Sequence, residues 1–161
     1  MNQVVKESLW KQFGASLDML ENALIACPDA LWDTETKFWH IAYHTLFFLD
    51  YYLSDEPLSF SPPAPFTMAE FEGRLPERVY SKEELLDYLQ HGRQKCRTLI
   101  AGLTEAGALK RFVDDIADDP TIEIILYNLR HVQHHVGQLN LLLRQGTNDA
   151  PEWVGQAGEG L

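Results

Sequence analysis

The amino-acid sequence predicts an all-α fold, a four-helix bundle, and three observations predict it. Four long stretches carry apolar residues at three- and four-residue spacing, the period of a helix with one buried face. A proline-rich interval between the second and third stretches reads as one long crossover. No internal repeat or low-complexity tract breaks the pattern. With 161 residues the chain has the length of one domain, expected over 1–161 with a C-terminal tail at about 146–161. A domain of that size buries roughly 70% of its unfolded surface and needs neither metal nor disulfide merely to fold.

The first helix is expected from about Asn2 to Cys27, where Leu9, Phe13, Leu17, Leu20 and Leu24 recur and Pro28 stops the pattern. Asp33 and Thr34 offer caps for a second helix, from about Glu35 to Leu53. Phe38, Trp39, Tyr43, Phe47, Phe48, Tyr51 and Tyr52 make that helix aromatic and suit it to the centre of a bundle. Periodicity fails from Ser54 to Tyr80, because Pro57, Pro62, Pro63, Pro65 and Pro76 forbid a long helix. Thr67 to Glu72 has room for a turn or two, and Phe60 and Phe66 fit a packed crossing over one end of the bundle.

Ser81 begins the third helix with a capping box completed by Glu84. Leu85, Leu89, Gly92, Cys96, Leu99 and Leu103 form its stripe, and Gly102 and Gly107 punctuate its end. Leu109 to Asp119 reads as a polar connector with space for a short helix, its acidic pairs Asp114-Asp115 and Asp118-Asp119 acting as solvated caps. Asp118-Asp119-Pro120-Thr121 opens a fourth long helix running to about Arg144, closed by Gly146 to Asp149.

Composition narrows the function. Acidic residues number 24 against 13 Lys plus Arg, a net charge of −11. Such a surface repels phosphate, so neither nucleic acid nor an anionic membrane is an expected partner. Cys27 and Cys96 stand far apart, in no zinc-knuckle spacing, and read as reduced thiols. The N-terminus shows no basic segment followed by an apolar stretch, and no stretch approaches the roughly 20 apolar residues of a membrane span. The expected location is cytoplasmic.

Five of the six histidines fall in two clusters, His40 with His44 and His131 with His134 and His135. Residues four apart share a helical face, so each helix offers a two-pronged metal clip. On the fourth helix Ile122, Ile125, Leu129, Val132, Val136, Leu139 and Leu143 define the apolar stripe. His135 falls inside it, roughly 60° from Val132, and His131 lies near its edge, roughly 100° away, whereas His134 points to solvent. Asn128 and Gln138 share the side of the inward histidines, placed to orient a ligand ring or bound water. On the second helix His40, His44, Phe47, Phe48 and Tyr51 share one face. His91 lies off its helix's stripe, and Tyr43, Tyr51 and Tyr127 are candidates to line a pocket or simply to fill the core.

A lone inward histidine is more often a hydrogen-bonded core residue than a ligand, but two His-x3-His pairs on core-facing helices point to metal. Neutral imidazole suits zinc, nickel, iron or copper. Three histidines without a fourth protein ligand leave a position for water or substrate, and such a metal brings bound water to a pKa of about 7. No Glu stands three residues before a His, which argues against a ferritin-type di-iron centre. The His-Glu-x-x-His, Gly-x-Ser-x-Gly, P-loop and Gly-x-Gly-x-x-Gly motifs are absent as well.

The stretch from Phe38-Trp39-His40 through Tyr43-His44 to Tyr51-Tyr52-Leu53 resembles the second helix of the DinB-like superfamily. Asn128-Leu129-Arg130-His131-Val132-Gln133-His134-His135-Val136-Gly137-Gln138-Leu139 resembles its fourth-helix signature, and Pro151-Glu152-Trp153-Val154 is similar to the tail of some members. The resemblance implies an up-up-down-down four-helix bundle with the long crossover between helices two and three. It also implies a histidine-triad metal site, which carries over to His44, His131 and His135. His44 is preferred to His40 because Tyr51, Tyr52 and Leu53 follow it at the family's usual offset, with His40 as alternative or neighbour. Val136 stands where many relatives have arginine.

The resemblance further implies a divalent metal, usually zinc or nickel, frequent homodimers, and thiol-dependent transferases and isomerases among the relatives. Arg130 is a candidate to hold an anionic low-molecular-weight thiol, although a solvated arginine is the commoner arrangement. The expected function is therefore a metal-dependent hydrolase or thiol S-transferase, activating water or a low-molecular-weight thiol toward a small organic substrate. Its rivals are a non-catalytic metal-binding or stress-response protein and a structural helical dimer with inert core histidines.

Overall fold

Asn2 opens α1 (Gln3–Ala26) by accepting the Val4 amide on its side chain, in a computed structural model that describes residues 1–161. The helix ends before Pro28, as its sequence predicts, and a single turn, α2 (Asp29–Trp32), follows. Helix α3 spans Phe38–Tyr52 and starts later than expected. Asp33 and Thr34 are not its caps. The Asp33 carboxylate instead accepts from Lys37 Nζ at 2.9 Å and Trp39 Nε1 at 2.8 Å, pinning the turn, while Lys37 takes a left-handed backbone at φ 51° to enter the helix.

Residues 54–81 form the crossover, with one short 3₁₀ turn at Pro57–Ser59 and only turns from Met68 to Arg74. It is packed against the helices. Phe60, Phe66, Ala69 and Tyr80 are buried, and the Phe66 ring stacks on Tyr88 with centroids 4.2 Å apart. Helix α4 (Lys82–Gly102) begins with the expected box: Ser81 accepts the Glu84 amide, and Glu84 accepts the Ser81 amide.

The connector to the last helix holds more structure than the sequence predicts. A one-turn helix, α5 (Glu105–Leu109), precedes two antiparallel three-residue strands, β1 (Arg111–Val113) and β2 (Asp118–Pro120). Asp114 is no solvated cap. Its carboxylate accepts the Ile116 and Ala117 amides and shapes the hairpin turn, while Tyr51 donates to it at 2.5 Å. Helix α6 (Thr121–Thr147) then runs past the expected end to Asn148, whose left-handed backbone terminates it. Gly146 therefore lies inside the helix, with the Leu31 side chain packed where an added Cβ would come within 3.1 Å of it.

The four long helices close a ring in which α1 and α3 each pack against α4 and α6. Cross-helix contacts give their directions. Lys6 reaches the Ala101 carbonyl while Glu21 meets Gln90, so α1 and α4 are antiparallel. His44 meets His135 while Leu49 meets Asn128, so α3 and α6 are antiparallel. Tyr43 meets Tyr80 and Asp50 meets Lys95, so α3 and α4 run the same way. The chain order is therefore up-down-down-up rather than the expected up-up-down-down. Residues 27–37, four of them coiled in α2, are too short a connection to carry the chain back along α1, so α3 starts where α1 stops. The long crossover is the piece that returns the chain for two parallel helices.

One cluster of 35 buried residues draws on all four long helices, the crossover and the hairpin. The tail lies over α1 and α4, where Trp10 Nε1 donates to the Glu159 carbonyl and the Ala157 amide donates to Lys11 O. No helix is long and apolar enough to cross a membrane.

Candidate metal centre

Helix α3 places His40 and His44 one turn apart, and α6 does the same with His131 and His135. Because the two helices pack antiparallel, the partly buried faces of His44, His131 and His135 meet. His135 Nε2 lies 3.1 Å from His131 Nε2, which lies 3.4 Å from His44 Nε2, and the three ligand atoms all fall within 4.8 Å of one another. Tetrahedral zinc with Zn–N bonds of about 2.0–2.1 Å holds neighbouring nitrogens about 3.3 Å apart. The His131–His135 and His44–His131 separations fit an ion of that kind.

The outer ring nitrogens are held as well. Glu70 Oε2 lies 2.7 Å from His44 Nδ1, and Gln138 Oε1 lies 2.7 Å from His135 Nδ1. An Nδ1–H donating to each of these oxygens leaves the Nε2 lone pair of the same ring for the centre. His131 Nδ1 is buried without a partner. Burial, reinforced by the neighbouring imidazoles of His135 and His44, pushes the His131 ring down to about 3, and burial lowers His135 too. These two rings are therefore neutral at physiological pH, the form that binds metal.

Glu70 is the site residue that sequence reasoning missed. Its side chain is 8% exposed and bridges two histidines: beyond His44, its Oε1 lies 2.9 Å from His40 Nε2, a close contact but off the line of a hydrogen bond. Burial acts to raise its carboxyl, but the contacts with His40 and His44 outweigh that and hold it at about 2. The only local signal was a lone carboxylate in the apolar run Met68-Ala69-Glu70-Phe71. His40 thus belongs to Glu70 and not to the triad.

The other candidates separate clearly. His134 is exposed, and His91, on α4, lies 3.5 Å from Asp50 of α3 and away from the triad. Asn128 is buried and donates to the Leu49 carbonyl at 3.0 Å, which ties α6 to α3 and leaves the ligand rings to Gln138 and Glu70. Val136 is fully buried in the core, so that position offers no substrate contact. Arg130 is exposed. Tyr43 donates to the Thr67 carbonyl at 2.6 Å, and Tyr127 packs half-exposed on Tyr52 at 5.1 Å. Phe48, 4.8 Å from the His44 ring and 5.7 Å from His131, flanks the centre together with Tyr52.

No curated protein and no solved structure matches the chain at a significant level. A family model described as the DinB superfamily matches residues 12–139, most of the chain and all three histidines of the triad. The chain belongs to the DinB superfamily.

Proposed function

We propose that the protein is a metal-dependent enzyme built on a four-helix bundle, with one divalent ion, zinc or nickel, held by His44, His131 and His135. The observation that carries this reading is the convergence of three imidazole nitrogens, two of them on rings whose outer nitrogens meet Glu70 and Gln138. When bound, such an ion supplies Lewis acidity that lowers the pKa of a water or a low-molecular-weight thiol at its open position. The chain's own groups prepare that position. Glu70 and Gln138 set the ring orientations, burial keeps His131 and His135 unprotonated, and Phe48 and Tyr52 exclude bulk water from one side.

The substrate class is a small organic molecule attacked by water or thiol, and the proposal extends to a cytoplasmic homodimer. The geometry favours this over inert core histidines, because inert histidines have no reason to aim three nitrogens at one point. Metal analysis of protein purified without a histidine tag tests it. One ion per chain in the wild type and loss in His131→Ala is the expected result; substoichiometric metal in both overturns it. Hydrolase and thiol-transferase screens on metal-free and reconstituted protein then separate an enzyme from a non-catalytic metal-binding protein.

A further inference from the structure

We propose that Glu70 is the positioning residue of the metal centre: one carboxylate, delivered by the crossover, fixes the His44 ring and tautomer so that its Nε2 faces His131 and His135. The proposal rests on the metal reading above. An imidazole has two nitrogens, and whichever one carries the proton cannot bind metal. At 2.7 Å from Nδ1, the Glu70 carboxylate draws the proton there and leaves Nε2 for the centre. Gln138 meets His135 Nδ1 at the same distance, but from α6 itself and as a neutral amide, which holds a ring proton more weakly than a carboxylate does, and His131 Nδ1 has no partner. Glu70 is thus the one carboxylate in contact with the triad, and it comes from a different part of the chain.

The crossover is packed against the helices on both sides of Glu70. Tyr43 donates to the Thr67 carbonyl at 2.6 Å, and Ala69 is fully buried. Phe71 sets its edge against Phe47 and Tyr51, with centroids 5.1 and 4.9 Å away. His40, one turn before His44, lies 2.9 Å from the second carboxylate oxygen and braces it. The His-x3-His pair of α3 therefore supplies one ligand and one brace, whereas the pair on α6 supplies two ligands.

Titration of tag-free protein with Co(II), followed by visible absorption, tests the assignment. Wild type is expected to bind one Co(II) per chain. Glu70→Gln keeps the shape and removes the charge, and it is expected to bind Co(II) 10–100-fold more weakly with an altered d–d band. Its metal-free thermal unfolding stays close to wild type, which separates positioning from a merely structural role. His40→Gln is expected to keep one Co(II) per chain and to lose less affinity than Glu70→Gln. Glu70→Gln binding within threefold of wild type with the same spectrum overturns the proposal, as does loss of the site in His40→Gln. A wild type that binds no Co(II) overturns the metal reading itself, a distinguishable result. Should Glu70→Gln fail to fold, ¹⁵N NMR of the metal-free wild-type imidazoles decides: His44 protonated on Nδ1 supports the assignment, and protonation on Nε2 overturns it.

Discussion

Lys95→Met removes the strongest partner of a buried carboxylate and is expected to cost the fold several times what a surface charge would. Asp50, near the end of α3, is 2% exposed. Its carboxylate accepts from Lys95 Nζ at 2.5 Å and from Tyr88 OH at 3.2 Å, with His91 Nε2 3.5 Å away, and Lys95 also reaches the Asp50 carbonyl at 2.9 Å. Removing one member of a buried pair typically costs 3–5 kcal/mol, because the charge left behind has no compensation. Here Tyr88 remains and the Lys95 side chain is 30% exposed, so water can replace part of the loss. The expectation falls to about 2–3 kcal/mol. For a domain of this size that lowers Tm by about 4–12 °C.

Urea unfolding of Lys95→Met, Asp50→Asn and the double variant measures the loss as a coupling energy. Neutralising the orphaned charge should make the double variant more stable than Lys95→Met alone. A loss below about 0.5 kcal/mol in Lys95→Met, or a double variant whose losses simply add, would refute the reasoning, since those are the marks of a solvent-exposed pair.

Three further perturbations probe other parts of the structure. The His131 ring is held down near 3 against an ordinary 6.5, so the unfolded chain takes up a proton that the metal-free native state refuses. Below about pH 6.5 the metal-free wild type should therefore lose stability relative to His131→Gln, by up to about 1 kcal/mol per pH unit; parallel slopes from pH 7 to 5 in urea unfolding would contradict this. Gly14→Ala brings a Cβ to 2.6 Å from Ala157 Cβ, which should lift the tail from α1, expose Trp10 and shift its fluorescence to the red, at a cost of about 1–3 kcal/mol. Glu84→Ala deletes half of the α4 capping box and its contact with Arg78, and should lower stability by about 1 kcal/mol in urea without changing metal content.

Much of the helical frame was legible because it is local. The stripe Leu9, Phe13, Leu17, Leu20 and Leu24 and the Ser81–Glu84 box each encode a helix within a few residues of themselves. The triad was legible in the same way, since His131 and His135 share a face by spacing alone and α3 carries a matching pair. Choosing between His40 and His44 drew on family resemblance, because both stand on one face of one helix. The hairpin at Arg111–Pro120 left no trace, as two three-residue strands are too short for a period and Asp114 reads equally as a solvated acid.

The sequence by itself determined which segments coil, where α4 is capped, and which helical faces carry apolar residues and imidazoles, because these follow from spacing along a 3.6-residue period. Only the tertiary structure decided that α1, α3, α4 and α6 run up-down-down-up, that Glu70 comes from the crossover to His44, and that His40 stands aside from the triad. Those outcomes depend on contacts between residues 26 to 95 positions apart, such as Glu70 with His44 and Lys6 with Ala101, which no local pattern encodes.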